Sequence, residues 1–314
     1  MKANYLFFTK LSFTYPMLDY SALVALATVI RVGSFERAAR ALHVTPSAVS
    51  QRVRLLEDRV GCALVIRDQP CRATETGRRL CQHVDQVQLL EQDLHGSLPA
   101  LATQDISRAT IPVAVNADSL ATWLAPAIAA FAAEQAVLME MAVDDQDHTA
   151  EWLRNGTVLA AVTSTARPAS GCHSRPLGAM RYIAAASPAF MQRYFSEGID
   201  ASSLALAPSL VFNLKDTLQE RWVRRLCHRH VDLPRHMLPS PQAFATAALA
   251  GMGWGLHPQA LIAPHLAAGT LVALLPDSAL DVPLYWHTAR ASPGLLEKLS
   301  QAIVTAAHAA LLAA

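Results

Sequence analysis

With 314 residues, 52% of them hydrophobic, and a formal net charge of only +1, the chain has material for two or three domains with proper cores, and its total charge points to no polyanion. No run of 18 apolar residues occurs, so no membrane-spanning helix is expected. Five cysteines without a CxxC pair argue for reduced thiols in a cytoplasm, and the 12 histidines fall in no zinc-ligand spacing with a cysteine pair, so no metal is expected.

Residues 1–16, MKANYLFFTKLSFTYP, faintly resemble a secretion signal. Lys10 interrupts the apolar core, however, and no small-residue cleavage site follows. They are expected to be a dispensable extension, with Met17 as the working start; an added structured arm is the alternative. In residues 18–32, Leu23, Leu26, Ala27 and Ile30 recur at helical spacing and predict a supporting helix.

Ser34 to Glu57 reads as two short helices around a tight turn. Ser34 can cap the first after Gly33, and Ala38, Ala39 and Leu42 form its inward stripe. His43-Val44-Thr45 is the turn, with Val44 plugging the angle between the helices. Thr45-Pro46 is a helix start, since proline at the first helical position loses no hydrogen bond. Val49, Val53 and Leu56 then face one way, and Ser47, Ser50, Gln51 and Arg54 the other. Hydroxyls, an amide and a guanidinium on one helix face suit base edges and phosphates in a major groove. From Arg31 to Arg79 ten arginines stand against five acidic residues, so the basic balance lies where the helix pair lies.

Gly61 can close the second helix in a left-handed conformation. Residues 63–67 and 71–74 flank Asp68-Gln69-Pro70 as strand, turn and strand, a wing that brings Arg67 and Arg72 to the DNA backbone or minor groove. The expected DNA contacts are therefore Ser34, Thr45, Ser47, Ser50, Gln51, Arg54, Arg67 and Arg72. Thr76 or Thr74 can cap the next helix, where Leu80, Val84, Val87, Glu91, Leu94 and Leu98 mark a heptad seam broken once. That seam predicts dimerisation, although packing on its own chain would give the same spacing. Residues 99–109 read as a linker.

From Thr110 strands and helices alternate. Strands are expected at 111–115, 137–143, 158–162, 182–186 and 209–212. Helices are expected from 116 through Phe131, at 148–155, and near 188–195, 218–227 and 242–249, followed by a glycine-rich return at 251–256. This predicts an α/β domain on a mostly parallel sheet, with ligand beyond the carboxyl ends of the strands. Asn116, Asp118 and Ser119 sit between a strand end and a helix start, where free N–H groups favour an α-carboxylate, although Asp118 could equally cap the helix. Asp144, Asp145 and Asp147 follow the second strand and could hold an ammonium or guanidinium, and Thr163 could line the same crevice. Asp200, Asp216, Asp232 and Asp277 are further carboxylates whose orientation the sequence leaves open.

The segment GSFERAARALHVTPSAVSQRVRLLEDRVG, the wing, the heptad helix and the α/β half together resemble the LysR-type transcriptional regulators over residues 18–314. The resemblance implies an N-terminal winged helix-turn-helix (17–76), a linker helix and hinge (77–108), and an effector domain (109–314) of two subdomains like periplasmic binding proteins. It also implies a homodimer or a tetramer built as a dimer of dimers, a promoter with an interrupted palindrome, and contact with RNA polymerase. VAVNADSLATWLAPAI, AVDDQDHT, LRNGTVLAAVTS and LYWH are similar to the ArgP-type subgroup, also called chromosome initiation inhibitors. That subgroup responds to lysine and arginine and controls basic amino-acid export and related genes, which implies L-lysine or L-arginine as effector and no cofactor. A short likeness around Phe212 and Asn213 adds these two to the expected effector residues.

Two other functions compete. Catalysis could draw on His257, His265 or His287, but no GxSxG, HExxH or P-loop is present, and an enzyme would leave the N-terminal half unexplained. Another small-metabolite effector is the nearer alternative, as is a thiol switch at Cys172, beside His173 and Arg175, or at Cys227, beside Arg224 and Arg225.

Overall fold

The computed structural model describes residues 18–97, 108–135, 137–143, 152–153, 157–289 and 294–313. The chain divides into two compact units, Met1–Val84 and Asp85–Ala314. The expected extension at 1–16, most of the linker, Leu98, Asp144, Asp145, Asp147 and most of the helix expected at 148–155 lie outside the described residues.

In the first unit, α1 (Tyr20–Val32) starts on Asp19, whose carboxylate accepts from the Ser21 and Ala22 amides. Ser34 caps α2 (Phe35–Ala41), and Thr45 caps α3 (Pro46–Val60), with proline in the first turn as expected. Ala38 and Ala39 are buried, with Leu42 and Val44 packed beside them, so small side chains let α2 and α3 approach closely. Val49, Val53 and Leu56 of α3 are 0–2% exposed, and burying each contributes about 1.5–3 kcal/mol. Gly61 closes α3 at φ 81°, a conformation that a Cβ would strain. The wing is present but shorter than expected: β1 (Val65–Ile66) and β2 (Arg72–Ala73) pair antiparallel, Ile66 opposite Arg72.

Thr74, not Thr76, starts α4 (Glu75–Ser97), its hydroxyl accepting from the Gly77 amide. Leu80 and Val84 of the expected dimer seam pack into the core of the first unit instead. Leu90, off that seam, and Leu94 are the exposed leucines of the helix, 55% and 52% accessible. Heptad spacing reports an apolar stripe and not which chain covers it, so the early part of the stripe serves an intramolecular core. Within the second unit, Gln92 accepts from the Ala109 amide and Asp93 from the Leu295 amide.

After the end of α4 the second unit continues with β3 (Thr110–Val115), then a helix in three parts: α5 (Ala117–Ser119), a π-helical turn (Leu120–Leu124) and α6 (Ala125–Gln135). There follow β4 (Leu138–Val143), β5 (Ala160–Thr163), the long β6 (Cys172–Ala186), α7 (Pro188–Tyr194), α8 (Ala201–Leu206), β7 (Ser209–Val211) and α9 (Leu218–Cys227). The chain continues through β8 (Arg235–Met237), α10 (Pro241–Leu249), β9 (Gly255–Pro258), α11 (Gln259–Ala267), β10 (Val272–Ala273), β11 (Leu280–Ala289) and α12 (Gly294–Ala310).

The main sheet runs β10-β6-β11-β5-β3-β4, with β9 also paired to β6, and a separate pair joins β7 to β8. The expectation of a mostly parallel sheet is corrected here. β3 is parallel to β4 and β5, but β6 pairs antiparallel with β9, β10 and β11, and β11 with β5. The cause is β6, which begins ten residues before the expected strand. Pro176 and Gly178 read as breakers in sequence, yet the strand passes them by a register shift opposite Leu284 and Tyr285. β6 and β11 are long enough to serve two strand groups, β3, β4 and β5 on one side and β9 and β10 on the other, which agrees with the two expected subdomains.

Candidate DNA-reading helix and ligand crevice

On α3, Ser47, Gln51 and Arg54 are exposed and Ser50 is half-buried, so the polar face deduced from spacing exists. Opposite it, the buried valines and Leu56 fix the helix by its apolar side. Ser34 and Thr45 are first of all helix caps. The Ser34 hydroxyl donates to Glu36 at 2.6 Å and accepts from the Arg37 amide, while the Thr45 hydroxyl is 2.9 Å from that of Ser47 and accepts from the Ala48 amide. The two wing arginines are held within the wing and its neighbour. Arg67 lies over the Phe35 ring, 5.2 Å from its centre, and Arg72 pairs with Asp68.

In the second unit the helix start after β3 gathers buried polarity. Asn116 occupies the N-cap position without making a capping bond; its side chain is 6% exposed, and neither amide atom has a hydrogen-bond partner among the described residues. Ser119 is fully buried with its hydroxyl likewise unpartnered. Asp118 is not the cap. It accepts a 2.7 Å bond from the Tyr182 hydroxyl, 64 residues away on β6. Burial pushes the Asp118 carboxyl up to about 6, the Tyr182 bond opposes that rise, and the nearby Asp216 carboxylate adds to it. Tyr182 is pushed well above its ordinary value by burial and by Asp118.

A cavity of about 30 Å³ is lined by Asp118, Phe212, Asp216, Phe244, His257 and Pro258, among others. It joins the start of the first helix of this unit to the loop after β7 and the end of β9. Asn213 shapes that loop, its side-chain oxygen accepting from the Lys215 and Asp216 amides. Asp216 in turn accepts from the Phe212 and Leu218 amides. His257 is 0% exposed, with the Phe244 ring edge-on at 5.8 Å and neither ring nitrogen bonded among the described residues. Burial lowers its imidazole to about 4. Gly253 permits the approach to this corner, since a Cβ there would stand 2.8 Å from Leu210 and 2.9 Å from the Pro208 carbonyl.

Of the expected effector residues, Asp118 and Phe212 line this cavity, and Asn213 shapes the loop that carries Phe212 and Asp216. Asn116 and Ser119 flank Asp118 on the same helix start. Thr163 is buried and spends its hydroxyl on the Thr165 amide at 3.2 Å. Among the four open carboxylates the structure selects Asp216. Asp200 caps α8, Asp232 is exposed beside His230, and Asp277 lies in a loop at positive φ. Tyr182 was not expected at the site, and His257 was named only for the competing catalytic reading. The Phe212-to-Asp216 turn carries a local asparagine signal, whereas the Tyr182 pairing depends on chain crossing and has none. Cys172 is buried and Cys227 half-buried. Two larger surface clefts, of about 510 and 540 Å³, contain none of the expected effector residues.

Residues 20–78 match the bacterial regulatory helix-turn-helix proteins of the lysR family, and residues 105–307 match the LysR substrate binding domain. LysG, an HTH-type transcriptional regulator of Mycobacterium tuberculosis, is 43% identical over 93% of this chain and 94% of its own. The crystal structure of ArgP from Mycobacterium tuberculosis superposes with a TM-score of 0.80 at 41% identity, covering 95% of this chain and 100% of that one. Full-length LysG from Corynebacterium glutamicum with bound effector Arg gives a TM-score of 0.69 at 36% identity, over 94% and 99% of the two chains. Helix pair, wing and two-part α/β unit agree with these matches from end to end: the chain belongs to the LysR family of DNA-binding transcriptional regulators.

Proposed function

We propose that this regulator is switched by a basic amino acid, lysine or arginine, bound in the crevice at Asp118, and that it controls genes of amino-acid export or metabolism. One observation carries the reading. Asp118 is a half-buried carboxylate whose ionisation is opposed by desolvation and by Asp216, and a ligand cation is the missing favourable partner. The unpartnered Asn116 and Ser119 side chains at the adjacent helix start suit the α-carboxylate of the same ligand. The related LysG structure with bound Arg supports the same ligand class. Ser47, Ser50, Gln51 and Arg54 would read the major groove, with the wing on the backbone. The working form is a homodimer or tetramer in the cytoplasm on an interrupted palindrome, acting with RNA polymerase.

A thermal-shift screen of the full-length chain against the twenty amino acids tests the effector. A ligand that binds only the folded state raises the melting temperature by mass action. Stabilisation by lysine or arginine, absent in Asp118→Asn, is expected. Stabilisation by an uncharged or acidic amino acid alone would overturn the assignment and leave DNA binding standing.

A further inference from the structure

We propose that Asp118, Asp216 and His257 form a seat for a primary ammonium group, so that the crevice takes lysine in preference to arginine. This rests on the basic amino-acid reading above and narrows it. The cavity these three residues share is small, about 30 Å³, where about 10–15 Å³ of such room admits one water. An ammonium, a single heavy atom, needs less of that room than a guanidinium, which brings four.

The acceptors point the same way. A guanidinium is held best by a carboxylate offering both oxygens in a coplanar fork. Here one Asp118 oxygen already accepts from the Tyr182 hydroxyl, and both Asp216 oxygens accept from backbone amides of Phe212 and Leu218. An ammonium asks only for single acceptors on different sides. His257 supplies a third, being fully buried with both ring nitrogens unbonded among the described residues. Buried polar groups without a partner are exceptional and call for one. Because burial keeps this imidazole uncharged at neutral pH, it accepts a proton-bearing nitrogen without repelling it. The edge of Phe244 packs against the ring.

Isothermal titration of the full-length chain with L-lysine and L-arginine is the test, on the wild type, His257→Leu and His257→Gln. Lysine is expected to bind the wild type at least about tenfold more tightly than arginine. His257→Leu should lose about tenfold for lysine and less for arginine, with His257→Gln recovering part of the loss through its amide oxygen. Tighter binding of arginine, or undiminished lysine affinity in His257→Leu, overturns the proposal. If His257→Leu does not melt cooperatively, the wild-type ratio and His257→Gln decide. A wild type that binds neither amino acid sinks the basic-effector reading itself, which is a different result.

Discussion

Asp118 is harder to ionise in the folded chain than in the unfolded one, rising from 3.8 to about 6. Such a group costs nothing below about pH 3, where both states are protonated. The cost grows as pH rises from about 3 to 6 and is complete above, on the order of 3 kcal/mol. Asp118→Asn is therefore expected to raise the melting temperature of the ligand-free chain at pH 7.5 and to leave it unchanged at pH 3, as circular dichroism melts would record. At the proposed site the same titration would govern the ligand. A cation prefers ionised Asp118, so lysine or arginine should bind about tenfold more weakly at pH 5 than at pH 7.5. Tyr182→Phe removes a donor that favours the ionised form. It should cost about tenfold or more in ligand affinity at pH 6.5 and move the midpoint of the affinity-pH curve upward, which calorimetry across pH would measure. The sequence exposed Asp118 through its place between a strand and a helix. It could not expose Tyr182, and it offered Asp216 as one of four equal carboxylates, because burial and pairing arise only when β6 crosses the sheet.

At the scale of elements, α3 was legible almost residue by residue. Its cap, its proline, its two faces and its glycine stop are local signals, and local signals survive folding. The wing arginines were legible as residues and not as partners, since Phe35 and Asp68 compete for them. Arg54 is exposed on the reading face. Arg54→Ala should weaken binding to duplexes selected by the wild type from a random pool by about 1–3 kcal/mol if it contacts a base. If it contacts a phosphate, the slope of log affinity against log salt should fall by about one. Fluorescence anisotropy at several salt concentrations separates the two, and unchanged affinity and slope would remove Arg54 from the interface.

For the molecule as a whole, regulation requires coupling between a DNA-reading unit and a ligand-binding unit. A ligand shifts DNA affinity only by as much as it distinguishes the two states, and the effect must be reciprocal. The factor by which saturating lysine or arginine changes DNA affinity is therefore expected to equal the factor by which saturating DNA changes ligand affinity. Calorimetry with and without duplex checks that equality. The division into two units and the α/β alternation were readable because helical and strand periods differ. The antiparallel bias of the sheet was not, because β6 and β11 pair across a hundred residues and hydrophobic pattern carries no direction.

The π-helical turn at Leu120–Leu124 holds one residue more than α-helical geometry would in the same span. Its Thr122 hydroxyl satisfies the Asp118 carbonyl at 2.6 Å. The helix thus carries a phase offset between its two ends, with Asp118 set toward Tyr182 and Ile128 and Phe131 set into the core. Deleting one residue inside the turn would restore an unbroken α-helix and rotate one end by about 100° against the other. Either the carboxylate would leave its hydroxyl or the core face would leave its core. In this segment chain length itself is a functional determinant, so a one-residue deletion would do harm that no single side-chain replacement there could match.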